Sequence, residues 1–140
     1  MIVDSSAVLA VLFREPTADT VIPVLEAAAS AGIAAPTAAE TGIVLTARLG
    51  ATGRSLLTRF LTEASIDVLP FTAEHWPHAL DAYVRFGKGR HSAGLNFGDC
   101  LTYAIARATR QPLLCVGEDF PQTDLQIVDL TSPGQKDERP

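Results

Sequence analysis

Four acids in this sequence hold the same kind of position: Asp4, Glu40, Asp99 and Asp119. Asp4 ends the apolar run Ile2-Val3, and the helix-forming stretch Ala7–Leu12 follows almost at once. Glu40 falls three residues after Thr37, which is placed to open a helix, and Asp99 falls three residues after Asn96. Asp119 follows the continuous apolar run Leu113-Leu114-Cys115-Val116. Each acid is expected where a strand ends or a helix begins. In an open α/β sheet that is the carboxyl edge, where ligands bind. No Lys accompanies the four, so carboxylates gathered there repel one another unless a cation sits among them. Oxygen donors of this kind suit Mg²⁺ or Mn²⁺, whereas zinc would call for His or Cys. A cation so held can polarise a phosphate oxygen and activate water, which points to phosphodiester hydrolysis.

Helix capping competes for the same residues. Asp4, Ser5 and Ser6 are all good N-caps, and with two serines at hand the acid is not needed for that purpose. Thr37-Ala38-Ala39-Glu40 has the form of a capping box, and Asn96-Phe97-Gly98-Asp99 mimics one. Singly, each acid is better explained by capping or surface placement. The joint pattern is what favours a site.

The elements that must position these acids can be read from periodicity. Strands are expected over residues 1–4, 33–35, 66–69, 113–116 and 127–128. Helices are expected over 6–13, 17–31 with a break near Pro23, 37–49, 52–64, 73–86, and from 98 or 99 to 110. Residues 87–97 read as a loop rich in glycine and base. Strands alternate with helices and no repeat is present, so the fold expected is a three-layer α/β/α sandwich around a mainly parallel sheet. Residues 1–131 form one domain in this reading. Ser132–Pro140 carries no apolar anchor and is expected to be a disordered tail.

The 140 residues are 47% hydrophobic with a formal net charge of −5, which argues against a protein that simply coats nucleic acid. Distribution matters more than the total. No acid lies between Asp81 and Asp99, while Arg85, Lys88, Arg90 and His91 fall close together. With the four acids neutralised by a cation, the chain could present a basic rim around an acidic hole. Cys100 and Cys115 have no C-x-x-C spacing and read as small core residues. His75 and His78 lack a third ligand. No apolar run approaches the ~20 residues that span a bilayer, and the expected location is the cytoplasm.

The order and spacing of several short pieces resemble those of the PIN-domain ribonucleases, and among them the VapC-like toxins of toxin–antitoxin pairs. The pieces are Ile2-Val3-Asp4-Ser5-Ser6-Ala7, Glu40, Asn96-Phe97-Gly98-Asp99-Cys100, Gly117-Glu118-Asp119-Phe120 and Thr123-Asp124, together with the basic loop Gly87-Lys88-Gly89-Arg90-His91. The resemblance covers residues 1 to about 130. It implies a Mg²⁺- or Mn²⁺-dependent endoribonuclease, dimeric, and neutralised by a cognate antitoxin. Carried over residue by residue, it makes Asp4, Glu40, Asp99 and Asp119 the catalytic acids, with Asp4, Asp99 and Asp119 on the metal. Ser6 would orient Asp4. Glu118 rivals Asp119, and Asp124 is a candidate for an outer position. RNA contacts fall to Lys88, Arg90 and His91.

Two other readings compete with a nuclease. A non-catalytic RNA- or protein-binding module would keep the fold but would tolerate loss of an acid. A phosphoacceptor receiver domain would want paired acids after the first strand and a lysine after a late one, and Asp4-Ser5-Ser6 and Gly117-Glu118-Asp119 supply neither.

Overall fold

Ile2 and Val3 form strand β1, and both are buried although they point to opposite faces. A strand covered on both sides belongs in a parallel sheet with helices on each face. The computed structural model, which describes residues 1–131, has that arrangement. In chain order the elements are β1 (Ile2–Val3), α1 (Ser5–Leu12), α2 (Ala18–Ala27), β2 (Ala31–Ala34), α3 (Ala35–Leu49), α4 (Thr52–Glu63), β3 (Ile66–Leu69), α5 (Trp76–Phe86), α6 (Phe97–Thr109) and β4 (Leu113–Leu114). A short 3-10 turn, Phe120–Gln122, follows. The sheet order is β3-β2-β1-β4 and every pairing is parallel. The tail expected from Ser132 onward lies outside the described residues.

Alternation along the strands divides the core in two. Ile2, Ala34 and Leu113 pack with Phe86, Tyr103 and Ile105 of α5 and α6. Val3, Ile33 and Leu114 pack on the other face with Val8, Val21, Leu45 and Leu57 of α1 to α4. The chain therefore forms the expected three-layer sandwich. Strand order has a functional consequence. The chain leaves β1 towards β2 and β3, then crosses back through α5 and α6 to β4 on the other side of β1. The switch point lies between β1 and β4, where an open α/β sheet has its binding crevice.

Several boundaries differ from the sequence reading, each for a local reason. Helix α2 stops at Ala27 because Ala31–Ala34 are taken by the sheet, where Ala31 to Ala34 pair with Ile66 to Leu69. Helix α3 starts at Ala35, with Pro36 in its first turn, where a missing N–H costs nothing. Thr37 is thus inside the helix, and its hydroxyl meets that of Thr102 on α6 at 2.8 Å. The capping box expected of Thr37 and Glu40 does not form, and Glu40 sits in the second turn. Helix α5 likewise starts at Trp76, so that Pro77 falls in the first turn. Ile127 makes a single bridge to Leu113 rather than a further strand.

One carboxylate ties the carboxy-terminal segment to the helices. Asp124 accepts a hydrogen bond from the Tyr103 hydroxyl at 2.7 Å, and from Arg85 and Arg107 at 3.1 and 3.3 Å. Burial pushes its carboxyl up, but the Tyr103 hydroxyl and the two guanidinium groups outweigh burial and hold it below the ordinary carboxylate value of 3.8. A depressed folded-state pKa stabilises the fold above 3.8, and that stability is lost as pH falls through the folded value. Asp124→Asn is expected to cost about 1–2 kcal/mol at neutral pH in urea unfolding. The deficit should shrink below pH 3.8; a deficit that stays constant into acid would contradict this role.

Candidate active site

Asp4 leaves β1 at the switch point and caps α1. Its Oδ2 accepts the Ser6 backbone N–H at 3.1 Å and the Ser6 hydroxyl at 2.6 Å. The same hydroxyl accepts the Val116 N–H at 2.9 Å, just beyond β4. Ser6 therefore locks the ends of β1 and β4 to each other and holds Asp4 between them. The serines do not relieve Asp4 of capping, as the sequence suggested: Asp4 is itself the cap. Capping uses Oδ2 and leaves Oδ1 without a hydrogen bond from the described residues. The group is only 5% exposed.

Helix α6 delivers Asp99. Asn96 and Asp99 form a complete capping box, with Asn96 Oδ1 accepting the Asp99 N–H at 2.9 Å and Asp99 Oδ2 accepting the Asn96 N–H at 3.0 Å. The mimicry read from sequence is a real cap, and it fixes the Asp99 rotamer. Glu40 reaches the same place from α3. Its carboxylate packs so closely on the first turn of α6 that a side chain at Gly98 would collide with it. Ser5 donates a long hydrogen bond to Glu40 Oε1 at 3.4 Å.

These residues line one cavity of about 440 Å³, together with Val116, Gly117, Glu118, Asp119 and Phe120 from the segment after β4. All four acids singled out from sequence are there, and none of the lining residues is Lys or Arg. Burial first, then the charges of Asp4, Asp119 and Glu40, push the Asp99 carboxyl up to about 6, against the opposing pull of the Asn96 N–H. That set of neighbours places Asp119 electrostatically within the cluster. Glu118 lines the same cavity, and its carbonyl accepts the Gln122 side-chain amide at 3.0 Å.

The other residues named from sequence lie elsewhere. Asp124 is not in this cavity; it lines a separate one with His78, Arg107, Arg110 and Gln111, at the amino edge of the sheet. Its two arginines and Tyr103 draw it there, so the outer position expected for it is not the one it takes. Lys88, Arg90 and His91 are exposed in the α5–α6 loop and do not line the cavity. Arg90 donates to the Val84 carbonyl at 3.2 Å and stacks over Tyr83. His91 Nδ1 accepts the Ala93 N–H at 3.0 Å. Asn96, Ser5 and Gly98 were missed as site residues; the box Asn96–Asp99 was the available signal for Asn96. Both cysteines are buried, and burial, then Asp4, pushes the Cys115 thiol up to about 12, which removes it as a nucleophile.

Comparison with known proteins settles the family. The PIN domain model matches residues 1–125. The chain belongs to the PIN-domain family. It is 53% identical over 128 residues to Ribonuclease VapC36 of Mycobacterium tuberculosis, covering 91% of this chain and 92% of that one. Two solved structures share the fold at low identity. One is VapC20 of Mycobacterium tuberculosis, a Sarcin-Ricin loop cleaving toxin, with TM-score 0.74, 18% identity, and 91% and 97% of the two chains covered. The other is VapBC2 of Rickettsia felis bound to a DNA fragment from their promoter, with TM-score 0.74, 16% identity, and 91% and 96% covered.

The donor set of this PIN domain suits a hard divalent cation. Among the described residues no three Asp, Glu, His or Cys side chains are drawn together into a ready-made ligand shell. Mg²⁺ does not need one, because it keeps most of its waters and binds through one or two carboxylates. Unpaired carboxylates on one polar cavity, with a raised Asp99, are what such a cation would relieve. In chelator, Asp99→Asn should raise the melting temperature by a few degrees, since the amide oxygen keeps the bond from the Asn96 N–H while a repelled charge is removed. A drop in calorimetric melting temperature would show that repulsion is not the dominant effect there.

Proposed function

We propose that the chain is a metal-dependent endoribonuclease toxin that hydrolyses RNA phosphodiester bonds and is neutralised by a cognate antitoxin. The observation that carries this reading is the gathering of Asp4, Glu40, Asp99 and Asp119 on one cavity at the β1–β4 switch point. The 53% identical relative, named a ribonuclease, supports the activity. The pairing with an antitoxin is supported by the VapBC2 complex and by a toxin–antitoxin complex of Klebsiella pneumoniae.

In this mechanism Asp4, Asp99 and Asp119 would hold Mg²⁺ or Mn²⁺. When bound, the cation supplies Lewis-acid stabilisation of phosphate charge and makes water a stronger nucleophile. Ser6 keeps Asp4 in its productive rotamer by spending its proton on Oδ2. Glu40, packed against Gly98 in the first turn of α6, would hold the attacking water and accept its proton. Asn96 fixes Asp99 through the capping box. Glu118 stands at the rim as an exposed carboxylate beside Asp119 and supports it. Lys88 and Arg90 give the loop entering Asn96 its positive charge, which attracts the RNA backbone, and the exposed His91 beside them adds a hydrogen-bonding group for a phosphate. Asp124 has a structural role instead.

A homodimer completes the proposal. Trp76, Leu80, Tyr83 and Val84 leave an apolar stripe exposed along α5 at helical spacing, and a second copy can cover it with the same stripe. No helix of the described residues is long and apolar enough to cross a membrane, in keeping with the cytoplasmic location proposed for a toxin that acts on cellular RNA.

Asp4→Asn retains a good N-cap and should leave the fold intact. Cleavage of end-labelled cellular RNA in Mg²⁺ or Mn²⁺ is expected to fall roughly a hundredfold or more. Wild-type rates in the variant would refute the mechanism, and RNA binding without turnover by wild type would favour a non-catalytic module. Gly98→Ala makes a second test. The helix should be as stable as before or slightly more so, by up to about 1 kcal/mol. Cleavage should nevertheless drop, because the new methyl group displaces the Glu40 carboxylate; unchanged cleavage would remove Glu40 from the machinery.

A further inference from the structure

We infer that Phe97 is a stacking platform for a base of the RNA strand at the amino terminus of α6, across that terminus from the acidic cavity, an inference that rests on the ribonuclease reading above. Phe97 is 80% exposed, more than any other large hydrophobic residue exposed among the described residues. It is the first residue of α6 and lies between Asn96 and Asp99, both of which line the cavity. The two hydrogen bonds of the capping box fix its backbone, so its exposure is not that of a loose loop. Side chains of a helix lean towards its amino terminus. The first residue therefore leans out beyond the carboxyl edge of the sheet. At about 100° per residue it also lies roughly 200° around the helix from Asp99. Phe97 thus stands outside the acidic floor, on the flank of the helix terminus that faces away from Asp99.

The chemistry of the cavity says what an aromatic there would meet. The lining residues include no Lys or Arg, so nothing in the cavity wall attracts a phosphate backbone on its own. Single-stranded RNA is gripped by stacking splayed bases on aromatic rings as well as by charge. A strand with its scissile phosphate over the acids can run on across the amino terminus of α6, where Phe97 offers an open face on a fixed backbone. Stacking tolerates any base, so Phe97 supplies affinity and strand placement rather than sequence choice.

Variants Phe97→Trp, Phe97→Leu and Phe97→Ala separate stacking from an apolar protein contact. The substrate is an RNA oligonucleotide spanning a site that the wild type cuts in total cellular RNA, and sedimentation of each protein gives its oligomeric state. Stacking predicts KM within about twofold of wild type for Phe97→Trp. It predicts KM raised on the order of tenfold to a hundredfold for Phe97→Leu and Phe97→Ala, with kcat changed less and the oligomeric state unchanged. Phe97→Leu matching wild type, or a loss that follows a change of oligomeric state, would overturn the inference and make Phe97 a protein contact. Phe97→Ala matching wild type would overturn it and leave the ribonuclease reading standing. A wild type that neither binds nor cuts RNA would overturn both.

Discussion

The structure depends on holding several carboxylates together in a cavity that no Lys or Arg of the described residues lines. Asp4 is nearly buried, Asp99 has its carboxyl raised to about 6, and Glu40 and Asp119 add charge to the same cavity. Their caps aside, the mutual repulsion of these charges opposes folding. The arrangement persists because the backbone around it is over-determined. Ser6 joins β1 to β4, the capping box holds α6, and Thr37 and Thr102 tie α3 to α6 through buried hydroxyls. Each of these bonds lies within or just behind the first turns of helices that meet at the carboxyl edge. Local destabilisation at a site, offset by the rest of the fold, is what a cation-binding cavity requires.

Capping and site chemistry turn out to share the same atoms. The sequence presents Asp4 and Asp99 with two readings, cap or ligand, as though one excluded the other. Asp4 uses Oδ2 for the cap, and Asp99 uses Oδ2 for the Asn96 N–H, so each keeps its other oxygen. A carboxylate has two oxygens and about four lone-pair sites, enough for both duties. The cap selects the rotamer and leaves the second oxygen free for a cation. Ser6 shows the same economy, donating to Asp4 and accepting from Val116 through one hydroxyl.

The layered fold and the convergence of the four acids were legible because they follow from periodicity and from the geometry of parallel sheets. The strand candidates at residues 66–69 and 113–116 and the acids at their partners' ends needed no tertiary information. Three features were not legible. Thr37 and Glu40 match a capping box by pattern, but Pro36 is preorganised for a first turn and moves the start of α3 upstream. Asp124 sits among residues that resemble a site motif, yet Arg85 and Arg107 lie 39 and 17 residues away in sequence and claim it only once α5 and α6 pack. The exposure of Phe97 depends on where α3 and α5 leave α6 uncovered, which no residue pattern announces.

The most direct test is calorimetric titration of Mn²⁺ into the wild type and into single amide variants of Asp4, Asp99, Asp119 and Asp124. Binding by the wild type, weakened or lost in the first three variants and unchanged in Asp124→Asn, is the predicted result. No binding by the folded wild type, or a loss confined to Asp124→Asn, would contradict the assignment of the acidic cavity as the cation site.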